Sequence, residues 1–101
     1  MQSIGEILPS ALALMTNDKM ALVKSKAVEY ADTYIRGGDA PALYMRDYNS
    51  GIYTRTDLNA VAELTDVYIA VKQGLYTRQT GAARQNKILK RYYPQGQPDK
   101  T

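Results

Sequence analysis

Two pairs of carboxylates stand three residues apart in this chain, Glu29 with Asp32 and Glu63 with Asp66. On a helix, that spacing puts both acids of a pair on one face. Two such acids can share a divalent cation, or divide general acid and general base work as in glycoside hydrolysis. Nothing else in the sequence completes either chemistry. The chain has no histidine and no cysteine. This removes the commonest general base, the commonest transition-metal ligand, thiolate zinc sites and cysteine nucleophiles. Nor does the sequence contain an acid-rich calcium loop, a phosphate-cradling glycine loop or a nucleophile elbow. The acid pairs read as solvent-facing charges beside apolar stripes. The expectation is a non-catalytic protein with no cofactor, no metal and no small-molecule site.

A second chemistry gathers near the end of the chain. Residues 1–76 carry seven lysines and arginines against nine acids, a net of −2. Residues 77–101 carry six against Asp99 alone, a net of +5, within a total of +3. Such a sign asymmetry points to an anionic partner. On a helix, Arg84, Lys87 and Arg91 fall on one stripe with Lys90 close by. Cations so spaced can track a phosphate backbone, with Tyr92 or Tyr93 placed to stack on a base. Arg78 and Lys100 add reach. The expected function is a small nucleic-acid-binding or regulatory protein whose contact residues are Arg78, Arg84, Lys87, Lys90, Arg91 and Tyr92. Basic residues in a last helical turn also complement the helix dipole, and the same patch can dock on an acidic surface, including that of a second copy.

All nine aromatic residues are tyrosines. Tyrosine buries an apolar body but seeks a partner for its hydroxyl, so it favours core edges and interfaces. This supports an alternative function, a protein–protein interaction or assembly protein. It would act as a homo-oligomer, adaptor or inhibitor through a Tyr-rich helical surface.

These groups need a scaffold, and the sequence predicts an all-α single domain. A length of 101 residues suits one domain, and 45% hydrophobic residues is ordinary for a globular chain. At this size folding removes somewhat over roughly 60% of the unfolded surface from water, enough for a core without metal or disulfide. No stretch approaches the roughly 20 apolar residues of a membrane span. Residues 1–15 lack the basic start of a secretory signal, so the cytoplasm is the expected compartment.

The expected elements number four to five helices. Ser3 and Glu6 have capping-box spacing, and Ile4, Ile7, Leu8, Ala11, Leu12 and Met15 lie at helical spacing, with Pro9 suiting a first turn near Leu8. A helix runs from Thr16-Asn17-Asp18 to about Arg36, its apolar face holding Met20, Val23, Ala27, Tyr30, Ala31 and Tyr34, and Gly37-Gly38 ends it. A short helix from Asp39 to Tyr48 follows, with Pro41 in its first turn and Asn49-Ser50-Gly51 as its end. Ile52-Tyr53-Thr54 reads as an extended connector. Thr54, Thr56 and Asp57 are each competent caps for a helix whose stripe is Leu58, Val61, Leu64, Tyr68, Val71 and Leu75, with Gly74 near its end. Gln79-Thr80-Gly81 reads as a break. The last helix spans Ala82 to Tyr93, with Ala82, Ala83, Ile88, Leu89 and Tyr92 as its apolar side, and Pro94 closes it. The domain is expected over residues 1–94, and residues 95–101 as a short disordered tail.

The segment from Asn59 to Gln73 resembles the first helix and turn of some bacterial repressors, through Val61, Ala62 and Val67. It departs from that pattern at Asp66, where the turn glycine would stand. Tyr68-Ile69-Ala70-Val71 is too apolar for a helix in a major groove. One continuous helix, paired hairpin-like with the basic one, is the better use of these residues.

Overall fold

The computed structural model describes residues 16–96, and these form an all-α bundle of four helices. The helical reading of residues 4–15 lies outside the described residues. The helices are α1 (Thr16–Ile35), α2 (Ala40–Ser50), α3 (Arg55–Lys72) and α4 (Arg78–Tyr92). No helix among the described residues is long and apolar enough to cross a membrane.

Helix α1 buries Met20, Val23, Ala27, Tyr30 and Ala31, the apolar stripe read from the sequence. Tyr34 departs from it and is 53% exposed, because the last turn of α1 runs past the core and borders a groove with Pro41, Tyr44 and Ile69. Gly37 has φ +80° and reverses the chain, while the Gly38 amide donates to the Thr33 carbonyl at 2.8 Å. Left-handed backbone of this kind favours glycine.

Helix α2 begins on Asp39, whose carboxylate accepts from the Ala42 amide at 3.1 Å. It runs to Ser50, two residues past the expected end, before Gly51 caps it. Of the three candidate caps for α3, the structure uses Thr54. Its hydroxyl accepts from the Asp57 amide, and Asp57 accepts from the Thr54 amide, both at 3.0 Å. This reciprocal box satisfies two amides that a helix start leaves open.

Helix α3 continues unbroken through Asp66, as the apolar stripe required. It packs against α1 on one side and α4 on the other. The core is built from Met20, Val23, Ala27 and Tyr30 of α1, Ala60, Val61 and Leu64 of α3, and Leu89 with Tyr93. Leu75 was expected at the end of the α3 stripe but is 73% exposed. Gly74, at φ +78°, ends the helical path one residue earlier. The Leu75 amide bonds back to the Ala70 carbonyl at 2.8 Å, and its side chain swings out to the tip of the turn.

The expected break at Gln79-Thr80-Gly81 is absent. Thr77 is the cap, its hydroxyl accepting from the Thr80 amide at 3.1 Å, and α4 runs straight through Gly81. That glycine serves packing. A Cβ there would lie 2.4 Å from Val71 Cγ2, so glycine is what lets α4 approach α3. Ala82 and Ala83, expected on the apolar side, are exposed; Leu89 is buried, and Ile88 and Tyr92 are half-buried. Beyond α4 the chain turns back, and Gly96 lies against Thr16 and Met20.

Candidate nucleic-acid interface

The six residues singled out by the sequence all lie on α4. They do not form one uniform patch. Arg78 begins the helix and borders a groove with Val28, Lys72 and Ala82. Arg84, Lys87 and Arg91 border a different groove, shared with Glu63, Asp66 and Tyr76. Lys90 is exposed between these two flanks.

Their environments differ. The guanidinium of Arg91 pairs with Glu63 of α3, and it also lies 5.0 Å from the centre of the Tyr92 ring. The Tyr92 hydroxyl donates to the other oxygen of the same carboxylate. These contacts have electrostatic consequences. The Tyr92 hydrogen bond holds the Glu63 carboxyl below the usual range against a smaller effect of burial, with Arg91 adding to the lowering. The carboxylate in turn raises the Tyr92 hydroxyl above its ordinary value, with burial acting in the same direction. Arg84 stands over the ring of Tyr76 at 4.6 Å, a cation–π geometry that leaves the guanidinium edge open to solvent. Lys87, Lys90 and Arg78 are exposed, and none forms an ion pair among the described residues.

So the stripe Arg84–Lys87–Arg91 exists as a line on the helix, but its last member is already matched by an acid. Tyr92 was expected to stack on a base. Its hydroxyl is bonded and one side of its ring is covered, so stacking there requires displacing Arg91. Tyr93 is buried, with its hydroxyl donating to Asp57 at 2.7 Å. Comparison with protein-family models, with curated proteins and with solved structures finds no match to this chain. Its own geometry therefore carries the functional reading.

The acid pairs take part in the scaffold rather than merely facing solvent. Glu29 binds Arg46 of α2 at 3.1 Å and Lys26 at 3.4 Å. Asp32 binds Lys72 of α3 at 2.9 Å, and Glu63 holds Arg91. Each of these three acids ties its helix to another one, whereas Asp66 has no such ion pair among the described residues. Among the described residues no group of three or more His, Cys, Asp or Glu is placed to hold a metal ion.

The sequence reading named Asp57 only as a candidate cap and Asp47 not at all, yet both are buried. Asp57, 1% exposed, accepts from Lys19 at 3.2 Å and from Tyr93 at 2.7 Å besides capping α3. It joins the start of α1, the start of α3 and the residue after α4. Asp47 accepts from Tyr30 at 2.5 Å and from Arg46 at 3.0 and 3.1 Å. Burial pushes the Asp47 carboxyl up, but the hydrogen bonds from Arg46 and Tyr30 outweigh it and hold the group below the usual range. Burial and the neighbouring carboxylates keep the Tyr30 and Tyr93 hydroxyls protonated well above the ordinary tyrosine value. Asp57 shows a local signal, the Thr54–Asp57 box, but its partners lie 36 and 38 residues away. No spacing rule reaches that far.

Proposed function

We propose that this protein binds nucleic acid through the exposed face of α4. The observation that carries the reading is the state of Lys87 and Lys90: both are exposed, and neither pairs with an acid among the described residues. Elsewhere in the bundle Lys19, Lys26, Arg46 and Lys72 pair with acids. Among the described residues Arg36 and Arg55 stand unpaired but apart from one another, whereas α4 gathers its unpaired cations on one helix. Unmatched cations retain their counterions in solution and release them on meeting phosphate, which drives association. Arg84 and Arg78 extend the surface at its flanks. A regulatory role in the cytoplasm is the matching cellular reading, consistent with a chain that uses no cysteine. The test is a titration of a labelled DNA against the protein at increasing salt. Affinity is expected to fall steeply, and the slope to drop by about one for each lysine changed to alanine. Absence of any complex at low salt overturns the reading.

A second reading rests on a different observation. Met45 and Tyr48 of α2 are each 51% exposed, and Tyr34 and Ile52 are exposed nearby. Tyrosine and methionine at one end of a bundle suit a protein contact. Light scattering at two concentrations tests self-association through this end, and Tyr48→Ser with Met45→Ser should abolish any dimer seen.

A further inference from the structure

The aromatic rings around α4 narrow the class of nucleic acid. Binding of single strands relies on open rings on which bases stack. Here Tyr76 carries Arg84, Tyr92 is bonded to Glu63 and covered by Arg91, Tyr93 is buried, and Tyr68 donates to Gln85 at 2.6 Å. The face of α4 that remains open has no aromatic residue. What it does have is a stripe of exposed Gln79, Ala83 and Lys90 with half-buried Asn86, spaced four, three and four residues apart in sequence order and turned away from buried Gly81. The Asn86 Oδ1 accepts from Gln85 at 3.4 Å, a bond that a base would replace.

We propose that α4 enters the major groove of a DNA duplex, with this stripe toward the base edges. The inference rests on the nucleic-acid reading above and names its ligand class. Asparagine and glutamine amides match the paired donor and acceptor of adenine, lysine matches guanine, and alanine meets the thymine methyl without holding the helix off. The cations border the stripe on both sides. Arg78 lines the groove toward Val28, and Lys87 with Arg84 lines the groove toward Tyr76. A helix lying between two phosphate walls needs cations on both of its flanks. No acid occurs anywhere in α4, and Glu63, one of the two α3 acids bordering its flank, is matched by Arg91. Among the described residues α4 packs chiefly on α3, which leaves its opposite face without a helix packed closely on it. The major groove, about 12 Å wide, admits one α-helix, whereas the deep, narrow groove of duplex RNA does not.

The test uses the full chain with a DNA duplex, its single strand, and an RNA duplex of the same sequence, followed by selection from randomised DNA duplexes. DNA duplex is expected to bind about tenfold or more tightly than either alternative at equal salt, and selection to enrich a short motif. The double variant Gln79→Ala, Asn86→Ala, whose fold is checked by circular dichroism, should lose about tenfold or more on the enriched motif. Its affinity for a scrambled duplex and its salt slope should not change. Single strand or duplex RNA bound as tightly as duplex DNA overturns the groove assignment and leaves the nucleic-acid reading standing. Duplex binding without enrichment, or without an effect of the variant, overturns base contact alone. No binding of any of the three overturns both.

Discussion

Asp57 and Lys90 mark two opposite ways in which this chain handles charge. Asp57 is enclosed at the meeting point of α1, α3 and the end of α4, with every contact provided by the protein. Lys90 is exposed on α4 and pairs with no acid among the described residues. The acid-bearing helices use their charges as cross-links, because a carboxylate that leaves water needs partners to replace it. The basic helix has no acids of its own. Once Glu63 has matched Arg91, the other cations of α4 have no ion-pair partner among the described residues. The difference teaches which charges are structure and which are surface. The helix with the most positive charge pairs only Arg91 among the described residues.

That contrast can be broken from the inside. Asp57→Ala strands Lys19 and the Tyr93 hydroxyl and opens the α3 cap. Loss of one partner from a buried pair costs about 3–5 kcal/mol, so a urea titration should show the largest loss of any single change here. Tyr93→Phe removes one bond to the same carboxylate and should cost about 1.5–3 kcal/mol. Gly81→Ala tests the inner face of α4 instead. The clash with Val71 should cost about 1–3 kcal/mol, less the roughly 0.5–1 kcal/mol that alanine contributes in a helix. The melting midpoint should therefore fall; a rise would show that α3 and α4 separate without strain.

Titration divides the molecule in the same way. The Tyr30 and Tyr93 hydroxyls have folded values above the unfolded value of about 10. Their contribution is fully present below that pH and is lost as pH rises beyond it. Asp47, Glu29 and Glu63 have lowered folded values. Their contribution is present above about pH 4 and is lost as pH falls through the folded values. Stability measured against pH should decline on both sides, and Tyr30→Phe with Tyr93→Phe should flatten only the alkaline side.

The outer face of α4 should scarcely register in such measurements. Lys87→Ala with Lys90→Ala is expected to stay within about 0.5 kcal/mol of the parent per site, while lowering the salt slope of DNA binding by about two. Glu63→Gln should move the melting midpoint least of all, since its pair with Arg91 lies at the surface. By freeing Arg91 it should tighten DNA binding, which an anisotropy titration would detect. Weaker binding would mean that Glu63 holds Arg91 where the ligand needs it.

Local rules account for much of the bundle. Apolar spacing placed the buried faces of α1 and α3, Asp39 and Thr54 marked the starts of α2 and α3, and Gly37 marked the end of α1. Each of these depends on residues within a turn or two of one another, where backbone geometry dictates which side chains meet. The same rules misplaced Gly81 and Leu75. A glycine admits both a turn and a close helix contact, and its neighbours cannot say which is needed. Leu75 matched the stripe by spacing, but Gly74 ended the helix first.

The candidate site divides along the same line. The sequence by itself determined that the chain is helical, that it lacks histidine and cysteine, and that positive charge collects after Tyr76. Composition and periodicity suffice for these. Only the tertiary structure decided which charges remain available. Pairing of Arg91 and Tyr92 with Glu63 and enclosure of Tyr93 on Asp57 join residues far apart in the chain. Such contacts depend on how helices cross, and electrostatic attraction acts across that packed space rather than along the sequence.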